Sequence, residues 1–417
     1  MKIRAVILAG GEGTRLKALT AKRAKPAVIF AGKYRIIDFS LSNCVNSRIN
    51  DVMVLAQYRP QSLIEHIGSG APWDLNLDLS GGIRVLTPYK AQNSDWFVGT
   101  ADAVRQNFSF IKRGKPDHLL ILSGDHVYKM DYNDMIKFHV ENDSDLTIAT
   151  ITVPIEEASR YGILSYDESF RVSEFVEKPK VPPTNTINMG IYLFKHDVLS
   201  EELWDDQFRS GSKHDFGKDI IPYMIANNRK VFAFSYNGYW VDVGTTAAYW
   251  QANMDLLEER PSFEIYNPEW VIHTRTEERP PAIIKQGGIV NNSMISDGCI
   301  IEAESVINHC VFSPGVHIRK GARVSNSILF TDCVIGENAV VENCILDKRV
   351  NVNPNCVLGK CNDNFEITVI GKDTCIPPGW KIEANAIIGP DVIHSDFLSN
   401  PVKSGELVQT RRLPFEI

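Results

Sequence analysis

Ala5-Val-Ile-Leu-Ala-Gly-Gly-Glu-Gly-Thr-Arg-Leu16, continued by Lys22-Arg-Ala-Lys-Pro26, decides how the first half of the chain is read. The apolar run from Ala5 to Ala9 has the pattern of a buried parallel strand. Glycines at positions 10, 11 and 13 follow it; they permit positive φ and let a ligand come close to main-chain N–H groups. Five cations then fall within eleven residues, Arg15, Lys17, Lys22, Arg23 and Lys25, with no acid among them. A strand, a glycine turn and a cationic loop describe a cradle for a polyphosphate. Neither of two common phosphate loops fits: the dinucleotide fingerprint wants a third glycine where Leu16 stands, and the Walker loop wants Gly-Lys-Ser/Thr. The plainer alternative is an ordinary strand turn with a solvated basic loop. The arginine just inside the turn and the further cations weigh against it.

Around that stretch lie 417 residues, long for one core, so two domains are expected. Hydrophobic residues are 44% and charged residues 23%, the balance of a globular protein. A net charge of −7 argues against a nucleic-acid partner and makes the basic loop a local feature suited to a small anion. No apolar run approaches the roughly 18 residues that span a bilayer. Met1-Lys-Ile-Arg4 runs straight into a strand without a cleavable apolar region, so the expected compartment is the cytoplasm and no membrane partner is expected. The eight cysteines form no C-x-x-C pair, and neither a zinc site nor a disulfide scaffold is expected.

Through about residue 250, apolar strands alternate with amphipathic helices. Strand candidates are Asp51 to Ala56, His118 to Leu122, Leu146 to Ile151, Gly190 to Phe194 and Val231 to Phe234. Between them Thr100 to Ile111 reads as a helix capped by Thr100, with Val104, Phe108 and Ile111 on one face. This alternation predicts an α/β domain with a mostly parallel sheet, whose ligands bind beyond the carboxyl ends of the strands. After a helix around Trp250 to Glu259 and a proline-containing connector, aliphatic residues recur every six positions. Ile295, Ile301 and Ile307 form one series; Phe312, Ile318, Val324 and Phe330 another; Leu329, Ile335 and Val341, then Leu346, Val352 and Leu358 follow. Hexapeptide periodicity with strand formers predicts a parallel β-helix, rather than a β-sandwich whose period would drift. Seven cysteines in this half (299, 310, 333, 344, 356, 361 and 375) read as small buried side chains in the rungs. The expected division is residues 1–258, a linker at 259–282, and a β-helix over 283–417.

Several residues could carry chemistry. Asp125, in Ser123-Gly-Asp-His126, directly follows a strand, where it could hold Mg²⁺ or simply make a turn. Trp240-Val-Asp242 offers a second carboxylate. Glu177 and Lys178 leave an alternating strand on opposite faces unless a twist brings them together. Asp215 reads as the cap of a following helix, which leaves His214 and Lys218 open to a sugar-contacting role. His309 and His317 are the candidates if the β-helix were itself an acyltransferase.

Taken together the motifs resemble the glucose-1-phosphate adenylyltransferase family of sugar nucleotidyltransferases. The resemblance rests on Leu8-Ala-Gly-Gly-Glu-Gly-Thr-Arg-Leu16, Lys22-Arg-Ala-Lys-Pro-Ala27 and Tyr34-Arg-Ile-Ile-Asp-Phe-Ser-Leu-Ser-Asn-Cys44. It continues through Gly99-Thr-Ala-Asp-Ala103, Ser123-Gly-Asp-His126, Phe175-Val-Glu-Lys-Pro179, Met189-Gly-Ile-Tyr192, His214-Asp-Phe-Gly-Lys-Asp219 and Trp240-Val-Asp-Val-Gly-Thr245. It implies a Rossmann-like nucleotidyltransferase domain followed by a left-handed β-helix that serves oligomerisation and regulation. It also implies transfer of the adenylyl group of ATP to α-D-glucose 1-phosphate, with Mg²⁺ as cofactor. Arg15, Lys25 and Asp125 would be catalytic, Leu8, Gly10, Gly11 and Thr14 would bind the nucleotide, and Asp125 and Asp242 the metal. Phe97, Gly162, Glu177, Lys178 and Asn188 would line the sugar phosphate. Lys22, Arg23 and Arg35 would take small anionic effectors in a homotetramer, with Gln57 and Trp96 relaying the signal. Phe97 stands where the family usually has tyrosine, and Leu86-Thr-Pro-Tyr-Lys90 lacks the usual glutamine pair, so adenine must be read by other groups near residues 86–92. Arg411 is a further, weakly matched effector candidate.

Overall fold

A nine-stranded sheet occupies the first of two units into which the chain divides, residues 1–11, 37–240 and 268–273. The computed structural model describes residues 1–76, 81–88, 96–360 and 365–413. The strands of this sheet are β1 (Ile3–Ala9), β2 (Asp51–Ala56), β3 (Gly82–Leu86), β4 (His118–Ser123), β5 (Leu146–Thr152), β6 (Gly162–Tyr166), β7 (Val172–Glu177), β8 (Thr186–Lys195) and β9 (Val231–Ser235). β4, β1, β2 and β3 lie side by side and parallel, with Val6 paired to both Met53 and Ile121. Ala5, Val6 and Ile7 are fully buried, because a central parallel strand is covered on both faces. The long β8 then runs antiparallel to β4, β5 and β6, and β9 returns parallel to β5. That antiparallel step was not legible in the alternation of strands and helices. The ladder between β8 and β5 slips between Asn188 and Tyr192, a bulge that kinks the strand at Gly190.

The helix expected over 100–111 is two helices, Thr100–Gln106 and Phe108–Ile111. Asn107 separates them and turns its carboxamide back to the Ala103 carbonyl, 2.9 Å away. Thr100 is not the cap: Gly99 holds that position without a side-chain bond. The Thr100 hydroxyl instead donates to Asp215 Oδ2 and accepts from Phe216 N, both at 3.0 Å.

The second unit comprises residues 12–36, 241–267 and 274 onward. Its three sheets of six, six and seven short parallel strands are consistent with a left-handed β-helix of hexapeptide repeats. Ile301, Ile318, Ile335 and Val352 stack in one column, Ile307, Val324, Val341 and Leu358 in a second, and Phe312, Leu329 and Leu346 in a third. Each of these coils takes seventeen residues, with one five-residue step among its sixes, whereas Val352 pairs next with Ile376, twenty-four residues on. The strict series misplaces one member for this reason. Leu329, not Phe330, takes the rung position, and Phe330 is buried edge-on to Tyr249 at 6.4 Å. The corners explain the glycine and asparagine in the gaps: Gly298, Gly315 and Asp332 share the left-handed region at one corner, and Asn326 and Asn343 at another. Among the described residues, Cys299, Cys310, Cys333, Cys344 and Cys356 are buried free thiols and Cys375 is half-buried; Cys361 lies outside them. No described helix is long and apolar enough to cross a membrane.

Candidate active site

In the first unit, β1 and β4 end together. Gly124 N donates to Leu8 O at 3.0 Å, and a Cβ on Gly124 would sit 2.9 Å from Ile7 and Ile37 side chains, so only glycine lets the chain turn here. The turn delivers Asp125. Its Oδ1 accepts from Ser123 Oγ and lies 3.5 Å from His126 Nε2. Gly10 packs beside Gln57, whose carboxamide brackets the Phe97 backbone: Phe97 N donates to Oε1 at 3.1 Å, and Nε2 donates to Phe97 O at 3.4 Å. Trp96 lies against Tyr58 with ring centroids 5.3 Å apart. Tyr89, Lys90 and residues 91–92 of the adenine segment lie outside the described residues.

Glu177 and Lys178 come together because the strand ends between them. Lys178 adopts φ 48°, which swings its ammonium back to 3.1 Å from Glu177 Oε1. The Glu177 carboxylate fits between two glycines: a Cβ on Gly162 would stand 2.8 Å, and one on Gly217 2.7 Å, from its Oε2. Asn188 donates to Tyr192 Oη at 2.6 Å and accepts from Gly190 N at 2.8 Å, so the bulge is stitched by the residue the sequence marked. Burial pushes the Tyr192 phenol well above its ordinary value, and the Glu177 and Asp215 carboxylates add to the shift. It stays a neutral hydrogen-bonding group. Asp215 caps as expected, accepting from Gly217 N and Lys218 N at 3.0 and 3.1 Å. His214 is explained by Asp206, a buried carboxylate 2.7 Å from its Nδ1.

In the second unit, Gly13 is left-handed and its carbonyl receives Leu16 N at 3.0 Å and Thr20 Oγ1 at 2.9 Å. This folds the turn that starts at the exposed Thr14 and presents Arg15 at the surface. Lys25 is buried and its Nζ meets Asp242 Oδ1 at 2.7 Å. A Cβ on Gly244 would lie 2.8 Å from that same oxygen and 2.9 Å from Arg15 Nη2, so Arg15, Lys25 and Asp242 crowd one spot. The other cations of the loop go elsewhere. Lys22 pairs with Asp391. Arg23 is buried and pairs with Asp347 at 2.9 Å. Arg35 donates to Ala27 O and borders a cavity of about 390 Å³ that Lys33, Arg275, Lys348, Glu277 and Asp297 also line.

Lys348 had no signal in the sequence. Burial, then the Arg35 and Arg23 guanidiniums, bring its ammonium down to about 7. Arg411 is tied at both ends, its backbone N on Asp396 Oδ1 at 3.0 Å and its guanidinium donating to Ser395 O. The two imidazoles of the acyltransferase alternative are engaged: His317 Nε2 with Glu302 at 2.8 Å and His309 Nδ1 with Asn292 at 3.2 Å.

The nucleotidyl transferase family model matches residues 4–259, and a GlmU-like C-terminal hexapeptide model matches residues 280–371. The chain is 45% identical to a glucose-1-phosphate adenylyltransferase of Acetivibrio thermocellus over 98% of its length and 97% of the relative's. It is 49% identical to one from Thermomicrobium roseum, covering 97% and 96%, and 47% identical to one from Pseudothermotoga lettingae, covering 98% and 99%. With the motifs, both folds and relatives matched along nearly their whole length, the chain belongs to the glucose-1-phosphate adenylyltransferase family of nucleotidyltransferases.

Proposed function

We propose that the protein transfers the adenylyl group of ATP to α-D-glucose 1-phosphate, releasing pyrophosphate and ADP-glucose for α-glucan synthesis. The observation that carries this is the pairing of Lys25 with Asp242 beside Arg15, together with Glu177 seated between Gly162 and Gly217. The first supplies cations for a triphosphate. The second supplies an acceptor for sugar hydroxyls, with Lys178 beside it for the sugar's phosphate. Gly10, Gly11, Leu8 and Thr14 would let the nucleotide approach the main chain, while Phe97 and Asn188 would border the sugar.

The nucleophile needs no general base, because a phosphomonoester with a second pKa of about 6 is mostly dianionic at neutral pH. What opposes reaction is repulsion between two phosphates and charge building on pyrophosphate. Positioning and fixed cations meet both demands. A cation 4 Å from a phosphate oxygen contributes roughly 1 kcal/mol in water and about 4 kcal/mol at an effective dielectric near 20. Arg15 and Lys25 therefore act most strongly once water is excluded. The attack is in line at the α-phosphorus with no covalent enzyme intermediate, so a chiral α-phosphorus should invert. Asp125 and Asp242 would hold Mg²⁺; their carboxylate oxygens are the hard donors this ion takes alongside phosphate oxygens. When bound it would neutralise phosphate charge.

Small anionic effectors are assigned to Lys22 and Arg35, with Lys348 added by its place on the same cavity as Arg35, whereas Arg23, expected from the sequence to share this role, is buried against Asp347 and would serve to hold the loop. A homotetramer and a cytoplasmic setting complete the reading; buried free thiols suit a reducing compartment. Purified protein separates the two sites. Arg15→Ala should abolish turnover, and Lys22→Ala should blunt the response to effectors while leaving unactivated turnover nearly intact. Equal losses from both would return these cations to a single site.

A further inference from the structure

We propose that Ser123 and His126 are positioning residues for Asp125, fixing one carboxylate oxygen so that Asp125 meets its metal in a single orientation. This rests on the reading of Asp125 as a metal ligand. Two donors converge on the same atom: Ser123 Oγ donates to Asp125 Oδ1, and His126 Nε2 stands 3.5 Å from it. A separation of that size closes to a hydrogen bond with a small rotation, as active-site contacts do when substrate arrives.

The imidazole's other nitrogen makes no competing bond. Nδ1 of His126 is buried and has no hydrogen-bond partner among the described residues. A carboxylate oxygen only accepts, so Nε2, the nitrogen that faces Asp125, is placed to act as the donor to it. The ring packs among aromatic neighbours. It is held edge-on to Trp240 at 4.9 Å, and Trp240 is held in turn by Tyr161 at 5.5 Å.

Gly190 closes the cluster from the other side. It lies in the bulge of β8 at φ 71°, and a Cβ there would come within 3.3 Å of both His126 Cε1 and Ser123 Cβ. One glycine thus packs against both donors, and the Asn188 side chain that accepts from Gly190 N locks the bulge. The arrangement is that of an oriented ligand: groups outside the metal's own shell fix the carboxylate, and losing such groups typically costs 10- to 100-fold in metal affinity.

The test measures Mn²⁺ binding by electron paramagnetic resonance, with a non-hydrolysable ATP analogue present, in the full-length protein. Ser123→Ala and His126→Phe should each weaken Mn²⁺ about tenfold or more. Ser123→Thr and His126→Gln, which keep a hydroxyl and an N–H donor, should restore most of it. Thermal unfolding of each variant identifies any that fails to fold, and the conservative pair then stands in for it. Both removals leaving Mn²⁺ affinity within twofold of the parent, while Asp125→Asn abolishes binding, would overturn this proposal and leave the adenylyl-transfer reading standing. Parent protein that takes no Mn²⁺ with the analogue would overturn both.

Discussion

Arg23 and Asp347 lie 324 positions apart in the chain, and their ion pair is almost sealed, with side chains 4% and 2% exposed and 2.9 Å between nitrogen and oxygen. Asp347→Asn keeps the volume and removes the charge, leaving a buried guanidinium that still donates to the Leu19 carbonyl at 3.2 Å. Breaking a buried pair from one side costs about 3–5 kcal/mol, because the surviving charge keeps its desolvation penalty. A surface pair gives the scale for comparison. Lys320 and Glu304 are 3.1 Å apart with side chains 58% and 67% exposed, and Lys320→Ala should cost about 0–1 kcal/mol. Removing both buried charges, as Arg23→Met with Asp347→Leu, should cost much less than Asp347→Asn alone, since neither charge is left stranded. Urea unfolding followed by the fluorescence of Trp250 and Trp380, both in the second unit, reads these differences. An Asp347→Asn cost under about 1 kcal/mol, no larger than that of the surface pair, would refute the reasoning and show that Arg23 is solvated. It would also make Arg23 available to an anionic effector, which a sealed guanidinium is not.

Gly217 has no positive φ, so Gly217→Ala changes little in the backbone, but its Cβ would come 2.7 Å from Glu177 Oε2. KM for glucose 1-phosphate should rise about tenfold, equivalent to roughly 1.4 kcal/mol, with KM for ATP nearly unchanged; equal changes in both would detach Glu177 from the sugar. Lys348, with its ammonium lowered to about 7, should make anion binding at the cavity depend on pH. A bound anion favours the protonated form and raises that value, so inorganic sulfate, whose own charge is constant, should bind more tightly as pH falls from 8 through 7 and then level off. Lys348→Met should flatten the profile in titration calorimetry; an unchanged slope would assign the proton to another group.

Patterns local in sequence carried the fold a long way. Ala5 to Ala9 and the apolar runs at 51 and 118 became adjacent parallel strands because their burial on both faces is written in uninterrupted aliphatic residues. The aliphatic repeat became the stacked columns of the second unit, yet its five-residue corner step was hidden because Leu329 and Phe330 are both plausible rung residues. Only the tertiary partner Tyr249 distinguishes them. Local chemistry was legible where a motif concentrates it, as in the cap at Asp215, and opaque where partners are remote. Nothing local to Lys22-Arg-Ala-Lys25 says that three of its cations would each find a different carboxylate, Asp391, Asp347 and Asp242. Likewise the positive φ of Lys178, which turns two opposed side chains into neighbours, occurs without a glycine to announce it. His214 kept a sugar-binding reading open because Asp206, its partner, lies outside the motif.

The central claim is tested most directly by presenting the purified protein with glucose 1-phosphate, Mg²⁺ and each of ATP, UTP, dTTP and GTP in turn, and following pyrophosphate release and the sugar nucleotide formed. ATP should be preferred, ADP-glucose should accumulate in step with pyrophosphate, and Asp125→Asn should remove the activity. Preference for UTP, or activity unchanged by Asp125→Asn, would contradict the account.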